Sequence, residues 1–131
     1  MNITQFCKKA IGVPFIPHGR VWEGWDCWGL LCIAYKELFD VELPHYKNDH
    51  DVVKHRDAIA RLYKEQKEEE WEQVEEAQMG DALLIYMYGR ACHVGLVVDK
   101  EKFLHVEHGI NTCLQKMKDF RIEGIYRYVG K

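Results

Sequence analysis

Ile3, Phe6, Cys7 and Ala10 recur at helical spacing and predict a short helix over residues 2–11, ended by Gly12, Pro14 and Pro17. Residues 12–26 mix three glycines and two prolines with scattered aromatics, the signature of an ordered loop. At Cys27 the period changes: Cys27, Leu30, Leu31, Ala34, Tyr35 and Leu38 make one apolar face, with Lys36, Glu37 and Asp40 on or near the other. This second helix is expected to end near Phe39, before Leu43-Pro44. Val52 to about Lys67 predicts a third, with Val52, Ala58, Ile59, Leu62 and Tyr63 inward, running into an acidic stretch at residues 68–72 that reads as a solvated face.

Beyond the Gly80-Asp81 turn signal the pattern is of strands. Ala82 to Tyr88 is apolar on both faces and predicts a central strand. Gly89-Arg90 interrupts, and Cys92–Val98, Phe103–His108, residues 112–116 and Gly124–Val129 follow as four more. Helices first and then consecutive strands on short loops describe an α+β domain with an antiparallel sheet of about five strands. The whole chain, 1–131, reads as one domain.

Composition narrows the function. With 47% hydrophobic residues the chain can bury a core, and its longest apolar stretch is far short of a membrane span. Residues 1–15 lack the apolar region of a secretory signal, so synthesis in the cytoplasm is expected. A net charge of −3 offers no basic excess for a phosphate backbone, which makes nucleic acid a poor partner. Five cysteines cannot all pair within the chain and none form a CxxC, so they read as thiols of a reducing compartment.

One of those thiols has a chemical setting. Cys27 sits where loop becomes helix, beside the unpaired N–H groups and positive dipole end of the first turn, and both stabilise a thiolate. Asp26 is placed to cap that helix or contact substrate, since its charge opposes ionisation of the thiol. A buried structural cysteine is the rival reading. Cys7, Cys32, Cys92 and Cys113 have no comparable setting. An activating imidazole must come from the strands. His93 alternates with Ala91, Gly95 and Val97 on one face, where Gly95 is expected to leave space; His105 alternates with Phe103 and Glu107. If the intervening hairpin loop has an odd length, for instance Lys100–Lys102, His105 falls opposite Val97 and on the face of His93, as a base and its orienting partner require. A metal site of His93, His105, His108 and Cys113 is disfavoured because His105 and His108 point apart on a strand. No metal or cofactor is expected. His18, His45, His50 and His55 read as solvated, while Trp22, Trp25 and Trp28 either pack in the core or wall a groove for a peptide or glycan.

Together these residues resemble the NlpC/P60 family of papain-like cysteine peptidases. Gly12-Val13-Pro14-Phe15 is similar to the family's Gly-x-Pro-Tyr, Asp26-Cys27-Trp28-Gly29-Leu30 to its Asp-Cys-Ser-Gly-Leu, and Leu43-Pro44 to the Leu-Pro after the cysteine helix. Gly80-Asp81-Ala82-Leu83 matches the Gly-Asp-Leu before the central strand, His93-Val94-Gly95 the segment of the catalytic histidine, and His105 the third polar residue. The resemblance implies Cys27 as nucleophile, His93 as base and then acid, and His105 as orienter. It implies hydrolysis of peptidoglycan stem peptides, commonly at the γ-D-glutamyl-diamino acid bond, with Phe15, Trp25, Asp26 and Trp28 near substrate. Phe15 replaces a tyrosine and Trp28 a serine, which bears on peptide preference. The Asp-Cys-Trp-Gly-Leu form resembles the phage tail-associated branch, implying tail proteins as partners and arrival at the cell wall with a virion or through a lysis pathway. Alternatives are a non-catalytic tail-assembly or wall-binding module, or an amidase, deamidase or acyltransferase using the same residues.

Overall fold

The computed structural model describes residues 1–45, 71–87 and 89–130; the expected helix at 52–67, Tyr88 and the acidic residues 68–70 lie outside them, as do His50 and His55. Helix α1 spans Ile3–Ala10, with Asn2 as its cap: the Asn2 side chain accepts from Gln5 N and the Gln5 side chain from Asn2 N, each at 2.9 Å. Its apolar face buries Phe6 and Ala10. Strands β1 (Arg20–Val21) and β2 (Gly24–Trp25) form a small hairpin in the segment expected to be loop, and helix α2 follows at Cys27–Phe39. α2 ends on Asp40 in the left-handed conformation, whose N–H bonds back to Lys36 O and Tyr35 O.

Six strands make the main sheet: β3 (Trp71–Val74), β4 (Ala82–Met87), β5 (Arg90–Val97), β6 (Lys102–Glu107), β7 (Ile110–Lys116) and β8 (Ile122–Tyr128), ordered β3-β8-β4-β5-β6-β7 with every pair antiparallel. The sixth, relative to the expected five, is β3. It is a short edge strand whose one deeply buried side chain, Trp71, packs on Tyr35 and Tyr128.

Both faces of the sheet are covered, which is why β4 reads apolar throughout. On one face Ala82, Leu84, Val94, Leu96, Leu104 and Val106 pack with α1 and α2; on the other Leu83, Ile85, Val97 and Phe103 pack under Met117, Phe120 and Ile122. α2 lies against β5 and β6. Ladder irregularities fall beside the site residues. Ile85 pairs with His93 but Tyr86 with Ala91, so Cys92 is the extra residue of a bulge immediately before His93; a second register shift follows His105.

Candidate active site

Cys27 is the first residue of α2 and 9% exposed. Its helix start is built by Asp26, whose Oδ1 accepts from Gly29 N at 2.7 Å and whose Oδ2 accepts from His18 N at 3.2 Å. Arg20, buried with it, donates from Nη1 to Asp26 Oδ1 at 2.7 Å and from Nε to His45 O at 2.9 Å. Gly29 explains its place in the motif. A Cβ there would stand 2.1 Å from Gly19 O, so only glycine lets the hairpin backbone lie on the first turn of the helix.

The two histidines meet. His93 Nε2 lies 3.0 Å from His105 Nδ1, with the rings near perpendicular and the residues 6% and 2% exposed. The odd loop length expected between their strands is present: Val98 N donates to Lys102 O, closing a three-residue loop at Asp99–Glu101. Its position is shifted, however, so that Phe103 rather than His105 stands opposite Val97. The space expected at Gly95 is filled as well, because the Phe103 ring crosses it and would lie 2.6 Å from a Cβ there. Phe103 and Phe120 flank the His105 ring at centroid distances of 5.1 and 5.3 Å. Burial pushes the His105 pKa below its ordinary value, so the ring is held neutral. Among the described residues, backbone pairing of β5 with β6 comprises Leu96↔Leu104 and Val97↔Phe103, so the ladder stops short of the histidines and their side-chain bond bridges the strands instead.

The tryptophan groove is not formed as expected. Trp25 and Trp28 are fully buried: Trp25 Nε1 donates to Thr112 Oγ1 at 2.8 Å and Trp28 Nε1 to Pro44 O at 2.6 Å, so both belong to the core rather than to a cleft wall. Trp22 is partly buried against Phe6, under the ammonium of Lys9 at 4.1 Å. Asp26, 3% exposed, has both carboxylate oxygens engaged by protein donors. Phe15 alone of the expected substrate contacts is partly exposed; it bridges to Trp25 through the backbone and sets its ring edge-on to His108 at 5.9 Å. His18 is half-buried with φ 60° rather than a freely solvated histidine. Among the described residues no group of three or more His, Cys, Asp or Glu side chains gathers as a metal site. Arg20 and Thr112 are the neighbours that pattern reading missed, while His108, weighed there only as a metal ligand, stands against the Phe15 ring instead. Only Arg20 carried a signal, as a basic residue just upstream of the capping aspartate.

The sequence model of the NlpC/P60 family matches residues 12–123, a span running from the loop before the hairpin to the start of β8. The chain belongs to the NlpC/P60 family. No curated protein matches its sequence. Solved NlpC/P60 structures share the fold: the NlpC/p60 domain of the peptidoglycan hydrolase SagA superposes with a TM-score of 0.66 at 17% identity, covering 95% of each chain. An NLP/P60 family protein of Staphylococcus aureus, described as similar to a lipoprotein, gives 0.63 at 22% identity over 98% of this chain and 41% of its own. One from Bacillus cereus gives 0.67 at 17% identity over 98% and 40%. This NlpC/P60 chain therefore spans the SagA domain almost entirely and about two fifths of the other two.

Proposed function

We propose that this NlpC/P60 domain is a cysteine peptidase acting on peptidoglycan stem peptides, at the bond between γ-D-glutamate and a diamino acid, with Cys27, His93 and His105 as its working groups. The observation that carries the reading is the buried His93–His105 hydrogen bond, made between the two strands against which the Cys27 helix packs. With His93 Nε2 engaged by His105, we assign the exchange with the Cys27 thiol to His93 Nδ1. In this reading His105, whose neutral form burial favours, accepts the Nε2–H of His93 at its Nδ1 and so orients the base.

In the reaction, Cys27 Sγ attacks the scissile carbonyl carbon as its proton passes to His93 Nδ1. The oxyanion is met by the Cys27 backbone N–H at the positive end of α2. His93 returns the proton to the leaving amine as the C–N bond breaks and a thioester forms. Water, deprotonated by His93, then cleaves the thioester and restores the thiol. Relatedness supports the substrate class, since SagA is named a peptidoglycan hydrolase. The phage-tail setting rests on the Asp26-Cys27-Trp28-Gly29-Leu30 form alone. A non-catalytic module is less well supported, because Trp28 is packed into the core and does not plug a cleft. Purified muropeptides incubated with the protein are expected to yield new amine termini, and Cys27→Ala none. Equal cleavage by Cys27→Ala, or no cleavage by the wild type, overturns the proposal.

A further inference from the structure

Arg20 is an arginine buried as deeply as core leucines, with its side chain 1% exposed and that of its partner Asp26 4% exposed. Its donors have specific acceptors: Nη1 bonds Asp26 Oδ1 and Gly19 O, both at 2.7 Å, and Nε and Nη2 bond His45 O. Three segments are joined by it, namely the β1–β2 hairpin, the start of α2 and the chain that follows α2. A buried ion pair is weak evidence for stability, because desolvation offsets much of the attraction. Its position suggests a different reason for burying the charge. Asp26 caps α2 and is covalently adjacent to Cys27, and a carboxylate there would by itself oppose a thiolate one residue away.

We infer that Arg20 is a positioning residue of the NlpC/P60 site that cancels the Asp26 charge, letting the carboxylate cap the cysteine helix without suppressing ionisation of Cys27. This rests on the reading of Cys27 as nucleophile and deepens it. The charged and titratable groups tied to the head of α2 are Asp26 itself and Arg20 from the segment before it, while His93 from β5, bonded to His105 from β6, is the base the proposed function assigns to the thiol. Of these, Arg20 is the cation fixed in place by four donor contacts. Its role differs from that of His93, since it neither touches the reacting atoms nor moves a proton.

The test reads the thiol, independently of wall cleavage. Rates of Cys27 alkylation by iodoacetamide are followed against pH, with the background from the other thiols subtracted using Cys27→Ala. Arg20→Gln is expected to raise the apparent pKa of Cys27 by about one unit, making labelling at pH 6 roughly tenfold slower. Asp26→Asn, which keeps a capping side chain and leaves Arg20 uncancelled, is expected to lower it. The double variant is expected to return near the wild type. An unchanged profile in folded Arg20→Gln, or a raised pKa in Asp26→Asn, overturns the inference; if Arg20→Gln does not fold by circular dichroism, the Asp26→Asn shift decides alone. A wild-type thiol that labels like a free model thiol contradicts the nucleophile reading instead, so the two failures are distinguishable.

Discussion

The proposed role of His105, accepting the His93 N–H, is one that a shorter amide can imitate. In His105→Asn the side-chain oxygen can still accept the His93 Nε2–H, whereas His105→Leu fills similar space with no acceptor. Turnover of muropeptides by the leucine variant is expected to fall on the order of 100-fold in kcat with little change in KM, and the asparagine variant is expected to keep most of the activity. Equal losses in two well-folded variants would mean that the 3.0 Å bond to His93 has no part in orienting the base. The same scale shows how a residue's role depends on where its atoms are spent. Trp25 and Trp28 carry large apolar area, but both are fully buried and their indole N–H groups bond Thr112 Oγ1 and Pro44 O, so their area is spent on the core.

Elements with a sustained period were legible in the sequence; those defined by single close contacts were not. α2 was readable to its first residue because apolar positions recur through Leu38 and Asp26 supplies a cap. Alternation in β5 and β6 placed His93 and His105 on one face, and an odd hairpin loop kept them there, though the partner of Val97 is Phe103, two residues from the expected His105. β1 and β2 have two residues each and β3 buries little beyond Trp71, so neither the hairpin nor the sixth strand leaves a periodic trace. The hairpin is fixed instead by close approach to α2, and Gly29 makes that testable. A glycine inside a helix is ordinarily worth replacing, since alanine gains about 1 kcal/mol of helix propensity. Here the added methyl meets the Gly19 carbonyl at 2.1 Å and Trp25 Cβ at 2.9 Å, the former being backbone that cannot rotate away. Gly29→Ala is therefore expected to destabilise the fold by about 1–3 kcal/mol, read as a lowered urea midpoint at unchanged slope. A raised midpoint would show that the hairpin does not rest on the helix.

For the whole molecule, the site lies where its two packed faces meet. Cys27 belongs to the helix-side core, while Phe103 and Phe120, which enclose His105, belong to the opposite cluster. The β5–β6 ladder stops beside the histidines, so the sheet there is held partly by side chains, and site and stability should respond together to pH. The direction follows from His105. Its pKa lies near 6.5 in the unfolded chain and below that in the fold, where burial disfavours the charged ring. Above 6.5 neither state holds the proton and the folded state keeps its full advantage. Between the two pKa values the unfolded chain binds a proton that the folded one does not, so stability falls as pH drops from 6.5 to the folded pKa. Urea midpoints measured from pH 7.5 downward are expected to decline for the wild type, and His105→Asn, whatever its own stability, is expected to show a shallower decline because it removes this titration. Parallel pH slopes for the two proteins would assign the acid sensitivity to other groups and leave the neutrality of His105 without a thermodynamic signature.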